Sequence, residues 1–352
     1  MVDVTRDDLR AAVAAGHLTE AQAADVLALA QVRAGVRVAE DEPFELFRGF
    51  SEIFVAVGLS ILITGAFGLT ALLGNPGLIT AIWAGIAWIL ARYFTLKRRM
   101  MLPSIVLVTA FAAAAFGTAG WFFARGLDDI ASVRGGLLLS LAATAAALIA
   151  WYRQFRLPFT MFLIGATGFV ATLVMLGDAG AGLRGLRGWQ SLFDLRQGGS
   201  IALGTLIFGL LALAGGLWFD MRDPHRLGRN SASGFWLHLT AAPALVNTVA
   251  LTFYRMGPGT GYALLALSLA AIALLALIID RRSFLTAGIG YLIFLIGYVT
   301  HEPGDPRSWA SVLLIVGLGL TALGTFWTDM RTRLMRALPD FPGKSRLPPY
   351  SE

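Results

Sequence analysis

The side chains of this 352-residue chain that could do chemistry together crowd into one stretch. Phe219-Asp220-Met221-Arg222-Asp223-Pro224-His225-Arg226 leads through Asn230 and Ser231 to Phe235-Trp236-Leu237-His238, then to Pro243 and Asn247. Asp223, Arg226, Trp236, His238, Pro243 and Asn247 make a candidate polar pocket opening to the cytoplasm. At a helical rise of 1.5 Å per residue, His238 sits about 5 Å below the inner membrane edge and Asn247 nearer the middle. Nine residues at about 100° each put those two on opposite faces, whereas Pro243 and Asn247 share one. Pro243 frees the carbonyl of Leu239, so a kink is expected there, with Thr240 or Asn247 supplying replacement polarity. The structural alternative makes Asp220, Arg222, Asp223 and Arg226 a solvated turn, His238 a hydrogen-bonding partner of a neighbouring helix, and Asn247 interhelical glue.

Other chemistries find less support. With no cysteine, the chain has no disulfide, thiolate zinc site, iron–sulfur cluster or thioether-linked haem. His238 and His301 lie near opposite membrane faces, too far apart to ligate one haem iron. His301-Glu302-Pro303 lacks the second helical histidine of a zinc site, and neither a Ser/His/Asp set nor a phosphate loop is present. No cofactor, metal site or catalytic residue is therefore assigned. Carboxylates are confined to the front end, loops and tail, apart from Glu52 at the mouth of the first span, where it meets the positive end of its own helix dipole. Proton-coupled antiporters and cation pumps ordinarily place carboxylates near the midplane, so that class is disfavoured.

The elements that must position these residues are membrane helices. Hydrophobic residues make up 57% of the chain and charged ones only 14%, against about a quarter charged in soluble domains. Ten apolar runs long enough to cross a bilayer read at 51–73, 76–96, 102–124, 135–152, 157–177, 200–219, 235–254, 260–279, 283–300 and 308–327. With a cytoplasmic N-terminus, 21 of the 28 Lys and Arg residues fall on inner segments and 7 on outer loops. That bias predicts cytoplasmic termini at both ends and makes the net charge of +6 a matter of topology, not of nucleic-acid binding. Trp151, Tyr152, Trp218 and Trp327 are read as interface aromatics beside inner charges, and Trp121, Tyr254 and Trp309 as their outer counterparts.

Around the spans, three segments carry their own signals. Residues 1–50 are richer in acidic than basic groups and form a cytoplasmic helical hairpin and linker, with helices over about 6–15 and 20–36. Thr5 with Asp8 and Thr19 with Gln22 are capping-box spacings, and Gly16 supplies a left-handed stop. Leu9, Val13, Leu18, Val26 and Leu29 are expected to pack between the two helices or onto the membrane domain. No cleaved signal peptide is expected. The outer loop 178–199, with Arg184, Arg187, Trp189, Phe193 and Arg196, reads as a short amphipathic surface helix. Residues 328–352 read as a basic interfacial helix, with Met330, Leu334 and Leu338 on its apolar side, and a Pro-rich tail. The ten-helix domain then occupies 51–327.

Small residues recur in the spans, as in Ala142, Ala146 and Ala150 or Ala113 and Gly117, and are expected at close helix contacts within the bundle, with a dimerisation face as the alternative. Basic inner turns return about every sixty residues, which duplicated hairpins or any antiparallel bundle would both produce.

The chain resembles a family of bacterial polytopic inner-membrane proteins, a domain of unknown function, that begin with a short cytoplasmic helical hairpin. The residues that carry the resemblance are Ala15-Gly16-His17-Leu18-Thr19-Glu20-Ala21-Gln22-Ala23, the span bearing Gly58 and Gly65, and Asp223-Pro224-His225-Arg226 leading to Phe235-Trp236-Leu237-His238-Leu239-Thr240-Ala241-Ala242-Pro243. It implies an all-α polytopic architecture of about ten transmembrane helices and a bacterial inner-membrane location, and no activity. Two functional expectations follow. One is a non-enzymatic scaffold or accessory partner of a membrane complex. The other is a facilitative transporter or permease for a small neutral or amphiphilic molecule. A lipid-modifying enzyme stands third. The expected partners are the bilayer and another membrane protein, with no nucleic acid.

Overall fold

The structure is a computed structural model that describes residues 4–33, 50–71, 74–177, 193–197, 199–224, 226, 229–257, 259–281, 284, 306–348 and 350. All regular structure among the described residues is helical: α1 (Arg6–Ala14), α2 (Glu20–Arg33), α3 (Phe50–Ala71), α4 (Pro76–Ala91), α5 (Met101–Phe123), α6 (Ile130–Phe155), α7 (Phe159–Leu176), α8 (Gly199–Asp220), α9 (Arg229–Tyr254), α10 (Thr260–Ile279), α11 (Pro306–Thr325) and α12 (Trp327–Ala337). Among the described residues eight helices, α3 to α10, are long and apolar enough to cross a membrane, α4 together with the π-helical turn that follows it. The protein is an all-α polytopic membrane protein. Where a span was expected over 308–327, the 20-residue helix α11 is found. The span expected over 283–300 lies, Phe284 apart, outside the described residues, as does most of the outer loop 178–199. The expected span 135–152, marginal in length, is the middle of the 26-residue α6. That helix starts early because the Asp129 carboxylate accepts the Ser132 N–H at 2.9 Å. The Ser132 hydroxyl and then its N–H hold Asp129 below the usual carboxylate value.

Contacts divide the chain into two compact units. One comprises Phe44–Leu192 and Gln197–Phe208 and is called here the aromatic unit; the other, Met1–Pro43, Phe193–Arg196 and Gly209–Glu352, is the ionic unit.

The aromatic unit is built on Trp88, Phe111, Trp151 and Phe155, whose ring centroids lie 4.5 to 5.7 Å apart. Trp151 is fully buried and Tyr152 nearly so, which corrects their reading as interface residues. Their indole and phenol faces fill the space between helices instead of meeting headgroups. Close approach is bought with glycine. A Cβ on Gly77 would fall 2.1 Å from the Trp121 ring, and one on Gly117 would fall 2.8 Å from the Thr80 methyl. Ala142, Ala146 and Ala150 are exposed, so the expected packing row of α6 faces away from the described helices, and Ser140, Leu141, Thr144 and Leu148 pack instead. Glu52 is buried, and its carboxylate accepts the Met101 and Leu102 N–H groups at 3.0 and 3.2 Å. It caps α5, not its own helix, because Met100 brings no side-chain acceptor to that start.

The hairpin of the ionic unit forms as its caps require. Thr5 and Asp8 exchange bonds in a capping box, Gln22 accepts the Thr19 N–H at 3.0 Å, and Gly16 turns the chain at φ +76°. The Thr5 hydroxyl and amide hold Asp8 below the usual carboxylate value. Leu9 and Ala23 meet at the centre, flanked by Val13, Leu18, Ala24 and Leu27. Val26 is 47% exposed, since the face of α2 toward α1 runs 23, 24, 27, and Leu29's side chain lies outside the description. In α12 the buried face is Trp327, Arg331 and Met335. The expected apolar stripe of Met330, Leu334 and Leu338 is rotated about one position away, because Trp327 and Arg331 have partners inside the unit.

Candidate functional site

Helices α8, α9, α10 and α12 bring their ends together within the ionic unit around two aspartates. Asp220 is the last residue of α8. Its Oδ2 lies 2.8 Å from His238 Nε2 of α9 and accepts Arg281 Nε at 3.0 Å, while Oδ1 accepts Arg281 Nη2. Arg281 Nη2 also donates to the Ser231 carbonyl at 2.8 Å and hydroxyl at 3.2 Å, tying the start of α9 to the end of α10. The two-pronged fit of guanidinium on carboxylate fixes direction as well as distance.

The crossing of α8 and α9 is made by reciprocal spacing. On each helix a glycine stands four residues from the polar group, Gly216 before Asp220 and Gly234 before His238. A Cβ on Gly216 would lie 2.7 Å from His238 Cε1, and one on Gly234 would lie 2.3 Å from Asp220 Oδ1. Each glycine thus receives the other helix's side chain. An ionised Asp220 only accepts, so His238 Nε2 carries the proton between them. His238 is fully buried, its ring centroid 5.9 Å from that of Phe284, and Nδ1 has no hydrogen-bond partner among the described residues.

The second aspartate closes α10. The Arg281 N–H reaches Ala276 O at 2.9 Å and the Asp280 N–H reaches Leu277 O at 3.3 Å, which is a Schellman ending with Asp280 left-handed at φ +54°. Glycine is the usual residue there, and aspartate tolerates it. Here its carboxylate is needed: Oδ1 accepts Trp327 Nε1 at 2.7 Å, Oδ2 pairs with Arg226 Nη2 at 3.0 Å, and Arg331 Nε stands 3.7 Å from Oδ1. Arg226, also left-handed at φ +55°, donates to the Asp280 carbonyl as well. Asp223 accepts the Ser231 N–H at 3.1 Å and so caps α9. Three carboxylates (Asp220, Asp223, Asp280) and three guanidiniums (Arg226, Arg281, Arg331) are buried here, none more than 7% exposed.

Of the residues expected to form a pocket, Asp223, Arg226 and His238 belong to this lattice. Trp236 is half-buried, with its ring centroid 5.4 Å from that of Phe235. Pro243 is exposed and Asn247 half-buried, both further along α9, which continues through the proline without a break. The acids of the 220–226 turn are buried, not solvated; Arg222 alone takes the surface role, 3.6 Å over the exposed Trp218 ring. Sequence reasoning did not connect Arg281, Asp280, Trp327 or Arg331 to this site; Trp327, read as an interface aromatic, and Arg331, read as an interfacial cation, are instead buried within it. The paired Gly-x-x-x-Asp and Gly-x-x-x-His spacings were the available signal for Asp220 with His238.

Beside the hairpin, burial raises the Glu20 carboxyl above its usual value and the Asp223 charge adds to the rise. The lattice can orient, neutralise and hold helices; a group of three or more His, Asp or Glu side chains able to hold a metal ion is absent among the described residues. Comparison with protein-family models, curated proteins and solved structures returns no match for this chain.

Proposed function

We propose that this chain is a non-enzymatic scaffold or accessory partner of a membrane complex in a bacterial inner membrane, with both termini cytoplasmic. The observation that carries the reading is the charge-balanced lattice at the ends of α8, α9, α10 and α12, in which Asp220 and Asp280 are spent on other elements of the same unit. Breaking one such buried pair strands a charge at a cost of about 3–5 kcal/mol. A lattice of this kind suits a fixed platform better than a carrier that must exchange partners in each cycle. The inner bias of Lys and Arg supports the orientation. Affinity purification in a gentle detergent with mass spectrometry tests the role: a stoichiometric membrane partner is expected, and a lone monomer or homodimer overturns it. Cytoplasm-active reporters fused after Arg98 and Tyr350, and a periplasm-active one near Gly180, test the topology.

Facilitative transport is the second reading, favoured by the buried Nδ1 of His238, without a hydrogen-bond partner among the described residues, and by Pro243 within α9. Under it, His238→Ala abolishes the deletion-strain phenotype while protein amount and melting temperature hold. Under the scaffold reading, function declines only in step with protein amount.

A further inference from the structure

The aromatic unit has a feature unrelated to the lattice. Between α3, α4 and α5 lies a cavity of about 230 Å³, lined on α4 by Thr80, Trp83, Ile86, Ala87 and Leu90 and opposite them by apolar residues such as Phe67 and Ala113. Thr80 to Leu90 is ten residues of helix, so the slot runs about 15 Å along the membrane-spanning direction. That is half of the roughly 30 Å hydrocarbon thickness, the depth of one leaflet. Two of its polar wall groups are already satisfied: Trp83 Nε1 donates to Thr70 Oγ1 at 3.0 Å, and the Thr80 hydroxyl donates to Pro76 O at 2.9 Å. Such a slot asks for hydrocarbon. Phe67 and Ala113 are both exposed, so it opens sideways, where a spanning helix meets lipid chains.

Two residues beyond Leu90 the helix changes character. Arg92–Lys97 is a π-helical turn, in which the Arg98 N–H bonds Tyr93 O at 2.9 Å, and Arg99 follows at φ +53°. Widened turns of this kind frequently mark functional sites. Arg92, Lys97, Arg98 and Arg99 are all exposed, and so are Arg153 and Arg156 at the same end of α6. Lys97 Nζ and Arg98 Cζ lie 5.8 and 5.6 Å from the Tyr93 ring centroid, and Arg98 Nε donates to the Tyr93 hydroxyl at 3.0 Å, which holds both cations in place. Glu52, whose carboxylate meets the chain at Met101 and Leu102 just past this turn, is buried and engaged in capping α5.

We propose that the slot between α3, α4 and α5 and the basic turn at its end together bind one anionic phospholipid, its phosphate on Arg92, Lys97 and Arg98 and one acyl chain between Leu90 and Thr80. The charge fits the headgroup, the length fits the chain, and the two adjoin in the order a lipid requires.

The test uses the full chain in neutral detergent, titrated with phosphatidylglycerol, with phosphatidylcholine of the same chains, and with chainless glycerol phosphate, read by native mass spectrometry. Phosphatidylglycerol is expected to bind more tightly than phosphatidylcholine. Each cation removed should weaken it about fivefold, so Lys97→Gln with Arg98→Gln should weaken it about twenty-five-fold. Ala113→Phe should reduce phosphatidylglycerol binding by filling the slot, and glycerol phosphate should not compete. Equal binding of the two lipids, an undiminished preference in the double variant, or competition by glycerol phosphate at lipid concentrations overturns the proposal. Should Ala113→Phe not fold, phosphatidylglycerol with a photoreactive chain on the unaltered protein decides: labelling within residues 80–90 supports the slot, and labelling confined elsewhere overturns it.

Discussion

The two units of this protein solve the same problem with opposite materials. The aromatic unit fills the space between its helices with rings and aliphatic side chains. The ionic unit places three carboxylates and three guanidiniums inside. In lipid, apolar contact between helices has little driving force beyond close packing, so the first unit depends on fit. Charge cannot be left in a dry interior without a partner, so the second depends on completeness. Fit degrades gradually, whereas completeness fails one residue at a time.

That contrast can be broken by single substitutions. Arg281→Met leaves Asp220 with His238 alone and should lower the stability of the detergent-solubilised protein by about 3–5 kcal/mol. Leu148→Val, one methylene removed from a fully buried site of the aromatic unit, should cost about 0.5–1.5 kcal/mol. Equal losses in thermal melting would erase the distinction. Trp327→Phe keeps the ring and deletes the bond to Asp280, and a loss of about 1.5–3 kcal/mol is expected, as for hydrogen bonds to charged groups.

Glycine sharpens the comparison. Gly216→Ala drives a methyl into the His238 ring and should cost about 1–3 kcal/mol. Gly85→Ala in α4 meets nothing within 4 Å and should stabilise by about 0.5–1 kcal/mol through helix propensity. Melting curves of the two variants shifted in the same direction would count against the reciprocal crossing.

The smallest effect is electrostatic and reversible. Because Glu20 is raised from its ordinary value of 4.5 by burial and by Asp223, its neutral form favours the docked hairpin. The contribution is fully present below that ordinary value and is lost as pH rises through the raised one. Hydrogen exchange over residues 6–33 should quicken over that interval in the natural chain, and the dependence should flatten in Glu20→Gln.

What the sequence made legible was local. Thr5 with Asp8, Thr19 with Gln22 and Gly16 announce the hairpin because each cap and its partner sit within one turn. Apolar run length announces the spans, and His238 was singled out as a polar group inside one. The partners of His238's lattice were illegible because Arg281 bonds across 61 residues and Trp327 across 47, distances over which no periodicity runs. Trp151 misled for a related reason: a tryptophan beside an inner charge looks the same whether it faces headgroups or a neighbouring helix. Glu52 announced a helix start but could not say which helix it served.

The span of the Asp220–Arg281 bond also sets a timetable for biosynthesis. At about 5–20 residues per second, Asp220 is made roughly 3–12 s before the guanidinium that neutralises it. During that interval α8 carries an uncompensated carboxylate at its end, which must stay at the water's edge. Asp280 then waits a further 47 residues for Trp327. The ionic unit therefore locks last, from its C-terminal side. Nascent chains stalled short of residue 281 should leave the 220–226 turn open to protease, and chains stalled well beyond residue 331 should protect it.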